Sequence, residues 1–126
     1  MSLEKKVKVF CAKHGTSYAM QPLRFNGERA VIATDNREQH IQLHAAAARL
    51  KNVRVDDSTC GLGGAWTGYI YIQDAVEAAR IKAAAEAEYL RNQAWCRVYH
   101  DCLVSGMDHA QASRMAESMY PTPQVT

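Results

Sequence analysis

LRFNGERAVIAT, residues 23–34, decides how this chain begins to fold. Asn26-Gly27 supplies two residues that tolerate positive φ, which a two-residue type I′ hairpin turn requires at both central positions. The Ala30-Val31-Ile32-Ala33 run that follows reads as a buried central strand. The hairpin anchors an antiparallel sheet, and the rest of the chain is read outward from it.

Upstream, residues 5–11 alternate apolar and polar at period two. That predicts a half-buried strand with Val7, Val9 and Cys11 on one face and Lys6 and Lys8 on the other. His14-Gly15-Thr16-Ser17 breaks it, and residues 18–20 extend briefly before Pro22. Downstream, Asp35 followed by Glu38 is a capping-box pattern, so a helix is expected from there to about Leu50. Residues 53–55 form a short strand, residues 56–64 a glycine-bearing loop, and residues 65–72 another strand. Asp74 with Glu77 opens an alanine-rich helix that runs to Val104. Ser105-Gly106 stops it, Asp108 with Gln111 opens a last helix to about Tyr120, and Pro121 and Pro123 end regular structure.

The expected class is α+β: a small antiparallel sheet of four to five strands with one covering helix, then a C-terminal hairpin of a long and a short helix. Residues 1–72 are the sheet module. Residues 73–120 are a helical hairpin that packs on it or mediates dimerisation, and residues 121–126 are a tail. Val76, Ala79, Ala83 and Ala87 are the expected packing face of the long helix. Leu90, Ala94, Trp95, Val98, Tyr99 and Cys102 continue as a stripe that must meet the last helix, the sheet or a second copy of the chain. A homodimer through the long helix is therefore expected.

Composition narrows the classes. With 126 residues, 48% hydrophobic and 22% charged, the chain reads as a folded globule of one domain or a domain plus a helical extension. No run approaches the roughly 18–20 apolar residues of a membrane span. The N-terminal residues lack the apolar core of a signal peptide, so a cytoplasmic location without membrane partners is expected. Charge is uneven: residues 1–72 carry ten Lys/Arg against six Asp/Glu, and residues 73–126 carry five against seven. Four cysteines, at 11, 60, 96 and 102, include no Cys-x-x-Cys pair, which excludes a thioredoxin-type site and a zinc ribbon.

Several constellations carry candidate chemistry. Cys11 and His14 at a strand end, with His40 and His44 one helical turn apart, could supply thiolate and imidazole to zinc; apart from that ion no cofactor is expected. Cys96 and His100 repeat the one-turn spacing, but packing against Trp95 and Tyr99 explains them. Cys60 before Gly61-Leu62-Gly63-Gly64 could be a nucleophile beside backbone N–H groups, with His14 or His44 as base, yet no recognisable signature surrounds it. Residues 102–116 resemble the core of a helix-turn-helix, with Ser113 and Arg114 on its second helix, although that half of the chain is net negative. Lys5, Lys6, Lys8 and Lys13 form a weak basic cluster. Trp66, Tyr69 and Tyr71 lie on one strand, and outward tyrosines beside Lys6 and Lys8 would make a binding platform.

These residues favour a non-enzymatic protein-binding module, a small adaptor or inhibitor acting by surface occlusion, in style like small phage-encoded inhibitors. A nucleic-acid-binding regulator using Lys5, Lys6, Lys8 and Lys13 or Ser113 and Arg114 is the second reading, and a zinc-binding small protein or enzyme the third.

Overall fold

A computed structural model of the chain describes residues 1–123, the side chain of Leu62 excepted; of the expected tail, residues 124–126 lie outside the described residues. The chain divides into two compact units, Met1–Ile81 and Lys82–Thr126. The class is α+β, with a four-stranded antiparallel sheet and a long helix followed by a short one.

The first unit opens with a helix where a strand is expected. Helix α1 spans Leu3–His14, with Ser2 as its N-cap and Gly15, at φ 64°, as its left-handed C-cap. The alternation of Val7, Val9 and Cys11 coexists with a helical stripe of Leu3, Val7, Phe10 and Cys11, and that stripe is the buried one. Val9 is 61% exposed. A side chain that a strand would have placed in the core faces water because a helix turns 100° per residue.

Strand β1 (Ala19–Leu23) and strand β2 (Gly27–Thr34) form the expected hairpin. Its turn is shifted by one residue. Phe25 and Asn26, not Asn26 and Gly27, carry positive φ, at 60° and 58°. Arg80 donates from Nη2 to the Phe25 carbonyl at 2.8 Å, which helps to hold that uncommon backbone. Gly27 serves a different need: a Cβ there would collide with Cδ1 of Ile81.

Helix α2 covers Arg37–Ala47. Its N-cap is Asn36, whose Oδ1 accepts from the Gln39 N–H at 2.7 Å; the expected cap, Asp35, lies one residue outside. Strand β3 (Val53–Cys60) runs well past the three residues expected of it, and strand β4 covers Thr67–Asp74. The strand order is β1-β2-β4-β3, with all pairs antiparallel.

Alternation sorts the sheet into two faces. Ala30, Ile32, Ile70 and Ile72 point to the inner face, where they meet Val7 and Phe10 of α1 and Leu43 and Ala47 of α2 in one core. Two helices thus cover the sheet, not one. The extra cover is the segment read as a strand.

Helix α3 runs unbroken over Ala75–Val104. Within the first unit its opening turns use Ala78, which is buried, and Ile81. The expected packing residues Val76 and Ala79 are exposed, Val76 at 78%, as are Ala83 and Ala87 further along. The helix start is fixed by Asp74 Oδ1 accepting from the Glu77 N–H at 3.0 Å, while Glu77 Oε1 accepts from the Glu28 N–H at 2.8 Å. Glu77 therefore leaves the capping box half made in order to tie α3 to β2.

In the second unit the later turns of α3 meet helix α4 (His109–Met119), whose Asp108–Gln111 capping box is complete. Cys102, Ala112 and Ala116 are buried. Trp95 donates from Nε1 to Glu117 Oε2 at 3.0 Å, Tyr99 hydrogen-bonds His109, and Arg91 donates to the Tyr120 carbonyl at 3.1 Å. The stripe expected on α3 is thus largely answered by α4, although Leu90 stays exposed.

Candidate functional site

The outer face of the sheet carries the alternate residues of the same strands. Tyr69 and Tyr71 both project there, as expected, with ring centroids 6.4 Å apart and planes 21° from parallel. The Arg29 guanidinium lies 4.0 Å from the Tyr71 centroid, and Arg29 Nε donates to Gln21 Oε1 at 2.5 Å. Ser58 and Tyr71 hydroxyls pair at 3.0 Å. Three strands therefore brace Tyr71, while Tyr69 is left 44% exposed. A stiff, half-wet aromatic ladder of this kind presents area with little rotamer entropy to lose.

The platform differs in composition from the one expected. Lys6 and Lys8 lie on α1, the helix that covers the opposite face, and Lys6 Nζ donates to the Lys51 carbonyl at 3.2 Å. Trp66 also leaves the tyrosines: its ring meets His40 edge-on, centroids 5.3 Å apart. Arg29 supplies the cation beside the rings. It reaches Tyr71 diagonally, two residues before Val31, which the β2–β4 register pairs with Tyr71, and local sequence does not announce this.

On the inner side, His40 joins three elements. It is 4% exposed, and its ring nitrogens lie 2.8 Å from Thr34 Oγ1 and 2.8 Å from Asp57 Oδ2. A carboxylate only accepts, so Nε2–H donates to Asp57, while Nδ1 and the Thr34 hydroxyl share the second hydrogen bond. His44 Nε2 stands 3.9 Å from the other Asp57 oxygen. Gly68 makes room: a Cβ there would sit 2.6 Å from His40 Nδ1 and 2.7 Å from both Thr34 Oγ1 and Trp66 Cη2. The order hydroxyl–imidazole–carboxylate is that of a hydrolytic relay, but Thr34 is itself buried at 4% exposure. In this setting the relay satisfies a buried histidine and pins α2 to β2 and β3. No local spacing marks Asp57 as a partner of His40, because it lies seventeen residues further on, on β3.

The four residues expected around zinc are distributed differently. Cys11 is in the core, where burial pushes its thiol pKa up. His14 is exposed, with its ring 4.5 Å from that of Phe10, while His40 and His44 share Asp57. Among the described residues, no group of three or more His, Cys, Asp and Glu is arranged to hold a metal ion. Cys60 and Cys96 are exposed and unpaired thiols. On α4, Arg114 is exposed and Ser113 half-buried. Glu117 on the same helix accepts from the Thr122 N–H at 2.6 Å, a contact that holds its carboxyl below the usual range, with Trp95 assisting. Lys5, Lys8 and Lys13 are exposed on α1.

One cavity adjoins the tyrosine ladder. It measures about 330 Å³ and is lined by Thr34, Asp35, Gln39, Thr67, Gly68 and Tyr69, at the end of the sheet where β2 stops and β4 starts. Gln39 Oε1 is buried without a hydrogen-bond partner. An acceptor so stranded costs about 1–3 kcal/mol.

The chain matches no known family model, and comparisons with curated proteins and with solved structures find no match.

Proposed function

We propose that this chain is a non-enzymatic protein-binding module, an adaptor or inhibitor that works by laying the outer face of its sheet against a partner. The observation that carries this reading is the braced ladder of Arg29, Tyr71 and Tyr69 on a sheet whose two covering helices both pack on the other side. Tyrosine and arginine are the residues that dominate binding energy at protein interfaces. Four strands about 4.8 Å apart give a face roughly 15–20 Å wide. With eight-residue strands of roughly 26 Å, the face covers about 400–500 Å², less than the ~800 Å² per partner of a standard interface, and suits one extended or helical segment.

The same face supports nucleic acid poorly. Arg29 is already engaged by Gln21 and Tyr71, and Arg54 by Asp56 at 3.2 Å. Phosphate tracking needs several uncommitted cations in a row. The homodimer expected through α3 belongs to this reading as a second contact, supported by the exposure of Val76 and Leu90. A 14.0 kDa species at micromolar concentration in light scattering would remove it.

The test places a photo-crosslinking side chain at Val31, on the outer face, and separately at Val9, on the exposed side of α1, in the full chain within its native cells. The Val31 position should capture one partner protein, and Tyr69→Ala should abolish capture. Capture of that partner from Val9 instead, or salt-sensitive binding of random single-stranded DNA that depends on Tyr69 and Tyr71, would overturn the reading.

A further inference from the structure

We propose that the cavity at the end of β2 and β4 is an arginine pocket, which receives a guanidinium from the segment that lies on the tyrosine ladder. This rests on the protein-binding reading and names the chemistry of the partner. The pocket lies beside Tyr69, so a chain crossing the ladder reaches it directly. At about 330 Å³ it is near the small end of ligand cavities, the right scale for one side chain and too small for a dinucleotide cofactor.

Its polar groups ask for a donor. Asp35 brings a carboxylate, with the Thr67 hydroxyl beside it, and no Lys or Arg is among the lining residues; Gln39, which lines this cavity and also the one beside His14, Gln42 and Leu43, has a buried carbonyl oxygen without a partner. An anion would meet Asp35. The neighbouring N-terminus of α2 does not reverse that preference, because the Asn36 side chain already occupies the Gln39 N–H. Among cationic side chains, arginine alone offers several fixed N–H donors at once, so it can serve Asp35 and Gln39 together. Its flat face also stacks on tyrosine. The molecule uses this pairing one rung away, where Arg29 lies over Tyr71.

The test is an amide-resolved NMR titration of the full chain with N-acetyl-arginine amide. The probes beside it are N-acetyl-citrulline amide, the neutral isostere, and N-acetyl-lysine amide. The arginine probe should shift Thr34, Asp35, Gln39, Thr67 and Gly68 with a Kd on the order of 1 mM, as one isolated side chain allows. Citrulline should bind at least ~10-fold more weakly, and Asp35→Asn should weaken the arginine probe by a similar factor. Gln39→Met should weaken it several-fold while Asp35 remains. Equal binding of citrulline, undiminished binding to Asp35→Asn, or shifts confined to other residues would overturn the pocket. A lysine probe that binds as tightly would overturn the arginine assignment. No partner is present in this titration, so its failure leaves the Val31 crosslink standing. A failed crosslink beside a successful titration would leave the pocket without the docking face.

Discussion

Ile70 and Tyr69 are neighbours on one strand, and they belong to different molecules in energetic terms. Ile70 is wholly buried between β4 and the helices, in a face built of Ala30, Ile32, Ile70 and Ile72. On the other face Tyr69 and Tyr71 stack on each other, Tyr71 also touches Arg29 and Ser58, and Tyr69 is 44% exposed. The inner face is aliphatic and answered by two helices, so its residues hold the fold. The outer face around Tyr69 and Tyr71 is aromatic and braced sideways, so these rings are held in place by the sheet itself, while α3 reaches this face at its hairpin end, where Ile81 lies against Gly27. A side chain that is immobilised but not buried is set up for a second molecule, since the entropy of ordering it is already spent.

Substitution at adjacent positions should expose this contrast. Ile70→Ala removes a side chain from the centre of the core and should cost about 2–5 kcal/mol, read from the urea midpoint. Gly68→Ala tests the inner face from the opposite direction, by adding volume. Its Cβ would press on His40, Thr34 and Trp66 at 2.6–2.7 Å, and a loss of about 1–3 kcal/mol is expected. The same change should disturb the Asp57 contact, visible as altered His40 ring resonances. If Gly68→Ala is neutral, the Thr34–His40–Asp57 relay is looser than its distances imply.

The two faces were unequally legible in the sequence. The strict alternation at residues 69–72 placed the tyrosines opposite the isoleucines, and period two is informative there because one face is fully buried. The same period misled at residues 5–11. Three alternating apolar residues fit a strand, but Leu3 and Phe10 complete a helical stripe, and the Ser2 cap and Gly15 stop settle which period holds. The Asn26-Gly27 pair announced a hairpin correctly and its turn residues incorrectly, because Gly27 is needed for the approach of Ile81, fifty-four residues later. The partners of His40 were illegible for the same reason. Thr34 and Asp57 reach it through the sheet register and the seating of α2, which no local spacing encodes.

The outer face should yield smaller effects on stability and larger ones on binding. Tyr69→Ala should change the unfolding free energy by no more than about 1 kcal/mol, because the ring is almost half exposed and makes no hydrogen bond among those described. Capture from the Val31 position should nonetheless be lost. A cost near that of Ile70→Ala would break the comparison, since Tyr69 would then belong to the core.

The smallest effect sets a phenol of the inner side against these. Tyr18 packs against the core and donates its hydroxyl to Glu4 Oε2 at 3.1 Å. Partial burial, and then the Glu4 carboxylate, hold its pKa above the ordinary phenol value. The folded chain therefore keeps this proton where the unfolded chain releases it. Below about pH 10 the phenol is neutral in both states and stability is unaffected. Above that, the unfolded state binds fewer protons, so stability falls with rising pH until Tyr18 ionises in the folded state as well. The Cys11 thiol, also raised by burial, acts in the same direction from a lower pH, so the comparison is made with Cys11→Ala in both proteins. Tyr18→Phe should flatten the fall in urea midpoint above about pH 10, and Glu4→Gln should flatten part of it. An unchanged alkaline slope in Tyr18→Phe would mean that Tyr18 is as open to water as Tyr69, and that the seam between β1 and α1 is not part of the dry face.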